Sequence, residues 1–144
     1  MKGVNQRSEC PISKSLDIFG DKWTLLIIRD IVFNGYRFYN EFLNSEEKIA
    51  TNILSDRLKK LELNGIVKSE KYASNKTKKV YKLTEAGIDL IPILVDLLAW
   101  GYTYDSSLLS KEERIFAFKS IKDDKAGFIQ GVIAAVRNYD AYNY

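Results

Sequence analysis

Hydrophobic positions recur at helical spacing along most of this chain and change to a strand-like pattern once, between residues 67 and 83. Ile12, Leu16 and Phe19 recur at steps of four and three, which predicts a short helix over 12–19 closed by Gly20. Asp21 can cap the next helix, 22–33. There Trp23, Leu26, Ile27, Ile28, Ile31 and Val32 leave little polar surface, so this helix is expected to be central and buried. Asn34-Gly35 marks a turn, and 36–38 reads as a short strand or extended link. A third helix is expected over 39–43, followed by a polar turn at 45–48. The fourth, over 50–63, carries Leu54, Leu58 and Leu61 on one stripe at i, i+4 and i+7. Asn64-Gly65 stops it, and Ile66 can fold back as the residue after a glycine cap.

Residues 67–72 and 78–83 then read as two strands, and the polar link 73–77 makes them a hairpin. Thr84 caps a long helix expected over 85–104, with Pro92 as a kink inside it. Ile88, Ile91, Leu94, Val95, Leu98 and Tyr102 form its apolar face. Two more helices are expected over 111–120 and 125–138. The aromatic residues Trp23, Phe38, Phe42, Trp100, Tyr102 and Tyr104 fall at core-like spacing. Phe116, Phe118 and Phe128 could line a pocket for a flat hydrophobic effector that the sequence does not identify. The predicted fold class is α+β, mostly α. The order of helix, helix, extended link, helix, helix, hairpin and helix is that of a winged helix-turn-helix with a two-stranded β-hairpin wing.

Composition narrows the chemistry. At 144 residues and 46% hydrophobic, the chain can bury one core, with room for an appendage. It contains no histidine, which removes the commonest general base and the commonest zinc ligand. One cysteine, Cys10, excludes an intrachain disulfide framework. No catalytic constellation, metal set or cofactor motif stands out, so no enzyme, no metal and no cofactor are expected. No uninterrupted apolar run has the length of a bilayer span, and the polar start over 1–9 resembles no signal peptide. The expectation is a cytoplasmic protein without a membrane partner.

The net charge of +3 is unevenly spread. Residues 57–82 hold nine bases against two acids, a net +7, so the remainder is slightly acidic. Such a block can follow a line of phosphates. With Leu54, Leu58 and Leu61 turned inward, Asn52, Ser55, Asp56 and Lys59 face outward, and Arg57 and Lys60 lie on the flanks. Short polar residues at the start of such a helix can reach base edges while the bases beside them hold phosphates. Asn52 suits adenine; Asp56 suits the cytosine amino group, or equally a bridge to Lys60 one turn on. Lys76, Lys78 and Lys79 on the hairpin can approach the neighbouring backbone, or serve only to keep an exposed edge from pairing.

The segments E-C-P-I-S-K-S-L-D-I-F-G-D-K-W-T-L-L-I-I-R-D-I, R-F-Y-N-E-F, I-A-T-N-I-L-S-D-R-L-K-K-L-E-L-N-G-I-V and Y-K-L-T-E-A-G resemble, in order, those of HxlR-type transcriptional regulators. The likeness covers about residues 9–104. It implies a homodimeric winged-helix protein of MarR-like architecture that binds double-stranded operator DNA, with the terminal helices making the dimer. On this likeness the DNA-binding residues are Arg37, Thr51, Asn52, Ser55, Asp56, Arg57, Lys59, Lys60, Lys76, Lys78 and Lys79. Domain limits follow as 1–105 for the DNA-binding part and 106–144 for a helical extension longer than the family pattern, serving dimerisation or an effector.

Cys10 is the redox-sensing candidate. Pro11 is a good first helical residue, which puts the thiol at the positive end of a helix dipole, with Lys14 one turn on. Several relatives of the resembled family sense oxidants or electrophiles through the equivalent cysteine. Without a second cysteine the available products are an intersubunit disulfide, a mixed disulfide or an adduct. The plain alternative is a small side chain that packs. For the chain as a whole, the alternative to a DNA reader is a winged helix that docks an acidic protein partner.

Overall fold

A computed structural model describes residues 8–144, and the polar stretch 1–7 lies outside them. The chain divides into two compact units, one ending at Ile88 and including Tyr144, the other running from Asp89 to Asn143.

The first unit begins with α1 (Pro11–Phe19), whose first residue is the proline. Next comes α2 (Lys22–Phe33), capped by Asp21, whose carboxylate accepts from the backbone N–H of Trp23 and Thr24 at 3.1 Å each. Then follow α3 (Tyr39–Leu43), α4 (Thr51–Leu63), the antiparallel strands β1 (Val67–Tyr72) and β2 (Asn75–Leu83), and the single turn α5 (Glu85–Ile88). The core is drawn from α2 to α5 and the hairpin, while α1 contributes no buried side chain. Ile27, Ile28 and Ile31 of α2, Phe42 of α3, Leu54, Leu58 and Leu61 of α4, and Val67, Val80 and Leu83 of the hairpin are buried. Phe42 meets the rings of Tyr36 and Tyr81 edge to face at 6.3 and 6.2 Å. Gly65 ends α4 at φ +70°, and Ile66 N–H returns to the Leu61 carbonyl at 2.9 Å, as the glycine-cap pattern predicts.

Two buried polar residues brace this core. Asp30 accepts from Arg29 at 2.7 Å and from Asn34 at 2.8 Å, and its burial pushes its carboxyl above the ordinary range. Arg37 has no exposed surface, and its guanidinium donates to the carbonyls of Ile31 and Tyr36 at 2.7 and 2.8 Å. The Arg37 carbonyl accepts from Tyr81 N–H at 2.8 Å, which holds the link 36–38 against β2.

In the second unit, α6 (Ile91–Tyr104) is followed by a 3₁₀ turn at Ser106–Leu109, then α7 (Glu112–Asp123) and α8 (Lys125–Asn143). The single helix expected over 85–104 is two helices separated at Asp89 and Leu90. Pro92 sits in the first turn of α6 instead of in a helix interior, because there its missing N–H costs no helical hydrogen bond. The stretch Glu85–Tyr104 is apolar enough in composition to match a membrane span, but only 28% of that window is buried and it is broken at this turn. The two compact units divide after Ile88, and α6 groups with the C-terminal helices.

The core-like spacing of the aromatic residues holds for Phe42 but fails for Trp100 and Tyr104, which are 67% and 73% exposed. With Ile93 and Leu97 they form an outward apolar stripe at i, i+4, i+7 and i+11 of α6, and the two ring centres lie 5.2 Å apart with the planes tilted by 45°. Phe116 also faces solvent, while Phe118 meets Tyr102 at 5.5 Å.

Candidate nucleic-acid interface

The outer face of α4 is built by its Leu stripe. Because Leu54, Leu58 and Leu61 are buried, Thr51, Asn52, Ser55, Asp56, Lys59 and Lys60 are all exposed on the opposite side. Asn52 and Lys59 have no side-chain partner among the described residues, so their hydrogen-bonding groups face solvent. Ser55 is held. Its hydroxyl lies 3.0 Å from the hydroxyl of Tyr39, which also donates to the Thr51 carbonyl at 3.1 Å. Tyr39 thus ties the start of α3 to the first turns of α4 and fixes the spacing of the two helices of the helix-turn-helix.

Arg57 is oriented instead of free. Its Nε donates to Asp21 at 2.9 Å and a terminal nitrogen reaches Asp56. Burial works to raise the Asp21 carboxyl, but the hydrogen bonds from Thr24 and Arg57 outweigh it and the net shift is downward. Asp56 also pairs with Lys60 at 3.2 Å, and this bond is the main reason its carboxyl is lowered. Asp56 therefore makes the intrahelical bridge that the sequence offered as the alternative to a base contact.

The wing carries a bulge. Lys71 pairs with Lys79 and Tyr72 with Asn75, so Lys76, Thr77 and Lys78 of β2 have no partners in the ladder. Within the bulge, Asn75 accepts from the N–H and hydroxyl of Thr77 at 3.1 and 2.6 Å. Lys76, Lys78 and Lys79 are all exposed. Lys71 and Lys79 face each other directly across the strands, an arrangement that is unfavourable until an anion lies between them. Lys68 and Lys82 are also opposite, but Lys82 pairs with Glu70.

Arg37 does not belong to this surface. Sequence reasoning placed it with the DNA-binding residues, yet its side chain is buried and committed to backbone carbonyls. A position bordering the helix-turn-helix looks the same in sequence whether its side chain points out or in. Tyr39 is the converse case: sequence reasoning passed over it, and its role follows from the approach of two helices that are separated in the chain. Cys10 lies apart at the N-cap of α1, exposed, with its N–H bonded to Ser8 Oγ at 3.2 Å.

Comparison with known proteins agrees with this geometry. The HTH-type transcriptional regulator YdeP of Bacillus subtilis is 34% identical over 95 residues, covering 66% of this chain and 73% of its own. The redox regulator HypR in its oxidized form superposes with a TM-score of 0.57 at 33% identity, covering 65% of this chain and 96% of its own. The reduced form of the transcriptional regulator YodB from B. subtilis gives 0.55 at 29% identity, covering 68% and 96%. Residues 18–108 match the family described as HxlR-like helix-turn-helix, and that stretch runs from the end of α1 through the wing and α6 into the 3₁₀ turn that follows. The chain belongs to the HxlR-like helix-turn-helix family of transcriptional regulators.

Proposed function

We propose that this protein is a homodimeric regulator that binds double-stranded operator DNA in a sequence-dependent way. The observation that carries the reading is one surface holding both kinds of contact DNA requires. The exposed face of α4 offers Thr51, Asn52, Ser55 and Lys59 for a major groove, and the bulged wing offers Lys76, Lys78 and Lys79 for the neighbouring phosphates. Lys60 and Arg57, on the flanks of α4, add positive charge. The unrelieved pair Lys71 and Lys79 favours a partner that brings negative charge. An apolar docking surface for protein is not favoured, because Thr51, Asn52, Ser55, Asp56 and Lys59 make most of this face polar, with Leu63 exposed only at its far end.

Self-association is supported by the α6 stripe. Four large apolar side chains, Ile93, Leu97, Trp100 and Tyr104, are turned to water on one helix face. A two-fold dimer would present two α4 helices to half-sites roughly 34 Å apart. Signal input through Cys10 is supported by its exposure at a helix start and by the likeness to HypR, named a redox regulator.

A test is titration of the protein against DNA from upstream of its own coding sequence, across a salt series. The expected log–log slope is steeply negative, near −0.9 per phosphate contacted. A slope near zero, or no discrimination from scrambled DNA, would refute the reading.

A further inference from the structure

We propose that Arg29 is a positioning residue for DNA reading: through Glu47 it fixes the turn from which α4 starts, and its loss reduces discrimination between DNA sequences without removing a DNA contact. The effect on DNA rests on the proposed function; the brace itself does not. Both residues lie in the first unit. Arg29 is on α2, where Ile27, Ile28 and Ile31 are buried, so its guanidinium is mounted on a fixed element. Its two terminal nitrogens donate to the two carboxylate oxygens of Glu47 at 2.5 and 2.7 Å, a planar fork across 18 residues of chain. Nε and one terminal nitrogen also donate to Asp30 Oδ1, at 3.0 and 2.7 Å, so every nitrogen of the guanidinium is committed.

Glu47 stands where α4 needs an anchor. It sits in the turn between α3 and α4 and is followed by Lys48 at φ +54°, a left-handed conformation unfavourable for a residue with a Cβ. Ile49, next in the chain, is buried. A strained residue persists where its neighbours are held, here by the Arg29 fork on one side and by the core on the other. α4 then begins at Thr51 with no side-chain cap from Ala50 and no acidic residue in its first turn. The placement of Thr51 and Asn52 is therefore set from outside the helix, by Tyr39 and by the turn that Arg29 grips.

Two ion pairs thus hold α4 against α2. Asp21 at the head of α2 takes Arg57 within α4, and Arg29 further along α2 takes Glu47 ahead of α4. The pairs run in opposite order along the two segments, so together they resist a rotation of α4 that either one alone permits. Arg29 is itself a poor phosphate contact. It stands between the carboxylates of Asp30 and Glu47, and the three side chains sum to one negative charge. Lysine in its place keeps the charge but lacks the fork.

The test measures Kd of the full chain for upstream DNA and for scrambled DNA of equal length, across a salt series. Glu47→Gln is the principal variant, since it breaks the ionic fork and leaves Arg29 on Asp30; Arg29→Gln and Arg29→Lys accompany it. In each, the ratio of the two Kd values should fall about fivefold, and Arg29→Gln combined with Glu47→Gln should do no worse than either alone, because the two act through one contact. The salt slope for scrambled DNA should stay within about half a unit of wild type, since no phosphate contact is lost. A mere loss of folded protein would weaken binding to both DNAs equally and leave the ratio unchanged. Independently of DNA, amide hydrogen exchange over residues 47–53 should quicken about tenfold in Glu47→Gln, while the amides of Ile27, Ile28 and Ile31 exchange as in wild type. An unchanged Kd ratio in Glu47→Gln, or additive losses in the double variant, would overturn the positioning role. A slope shallower by about one unit in Arg29→Gln would make Arg29 a phosphate contact and overturn that role as well. Wild-type exchange over 47–53 would overturn the brace. A wild-type chain that does not discriminate the two DNAs would overturn the regulator reading and the DNA effect with it, while the brace stands on the exchange rates.

Discussion

Arg57 Nε donates to Asp21 Oδ2 at 2.9 Å, joining the outer helix α4 to the cap of α2 across 36 residues of chain. One carboxylate oxygen accepts two backbone N–H groups at the head of α2 and also the guanidinium on α4. The angle at which α4 presents its polar face thus depends on the residue that starts the central buried helix.

Asp21→Ala should therefore lower stability by about 1–2 kcal/mol, the usual worth of an N-cap, read by urea denaturation. Asp21→Asn keeps a capping side chain and should cost less than about 1 kcal/mol, since the lost ion pair is partly exposed. The folded pKa of Asp21 lies below its ordinary value of 3.8. Its contribution is therefore fully present above that value and is lost as pH falls through the folded pKa. The stability difference between wild type and Asp21→Asn should shrink below about pH 4. A difference that grew in acid would contradict the shift.

Arg37→Ala should act on folding. It strips the buried carbonyls of Ile31 and Tyr36 of their donor and leaves a void, for a loss of about 2–4 kcal/mol by thermal or urea unfolding. Unchanged stability with weakened DNA binding would restore Arg37 to the interface.

DNA contacts should separate by type. Lys78→Gln and Lys79→Gln should each weaken binding to all sequences and make the salt slope shallower by about one unit. Asn52→Ala should relax preference at a single base pair by about 1–3 kcal/mol, with the salt slope unchanged. Fluorescence anisotropy on point-substituted duplexes distinguishes the two patterns.

Leu97→Glu with Trp100→Glu should convert a dimer to a folded monomer, since both side chains are exposed in the single chain and need no repacking when changed. Sedimentation velocity reads the mass and circular dichroism the fold. A double variant that stays dimeric would place the self-association surface elsewhere.

Cys10→Ser should abolish any change in DNA affinity caused by diamide or a quinone while leaving the untreated affinity within about twofold, because Cys10 lies outside the α4 and wing surface. Equal responses in both proteins would remove Cys10 as the input.

Local pattern determined most of the first unit by itself. Helical periodicity fixed α2, α3 and the Leu stripe of α4. Asn64-Gly65 fixed the end of α4, because a left-handed residue there suits glycine. The polar link 73–77 fixed the hairpin, though not the bulge that leaves Lys76 to Lys78 out of the ladder, since a strand register depends on both partners. The direction of each side chain in the finished fold was decided only by tertiary structure. Arg37 went inward because its donors met carbonyls left open after α2, and Trp100 went outward because Ile91, Leu94 and Val95 take the inward face of α6 and Trp100 lies on the other side. The junction of Tyr39 with Ser55, the grip of Asp21 on Arg57 and the fork of Arg29 on Glu47 are contacts between elements. Periodicity records which residues avoid water, whereas these contacts depend on where separate elements meet.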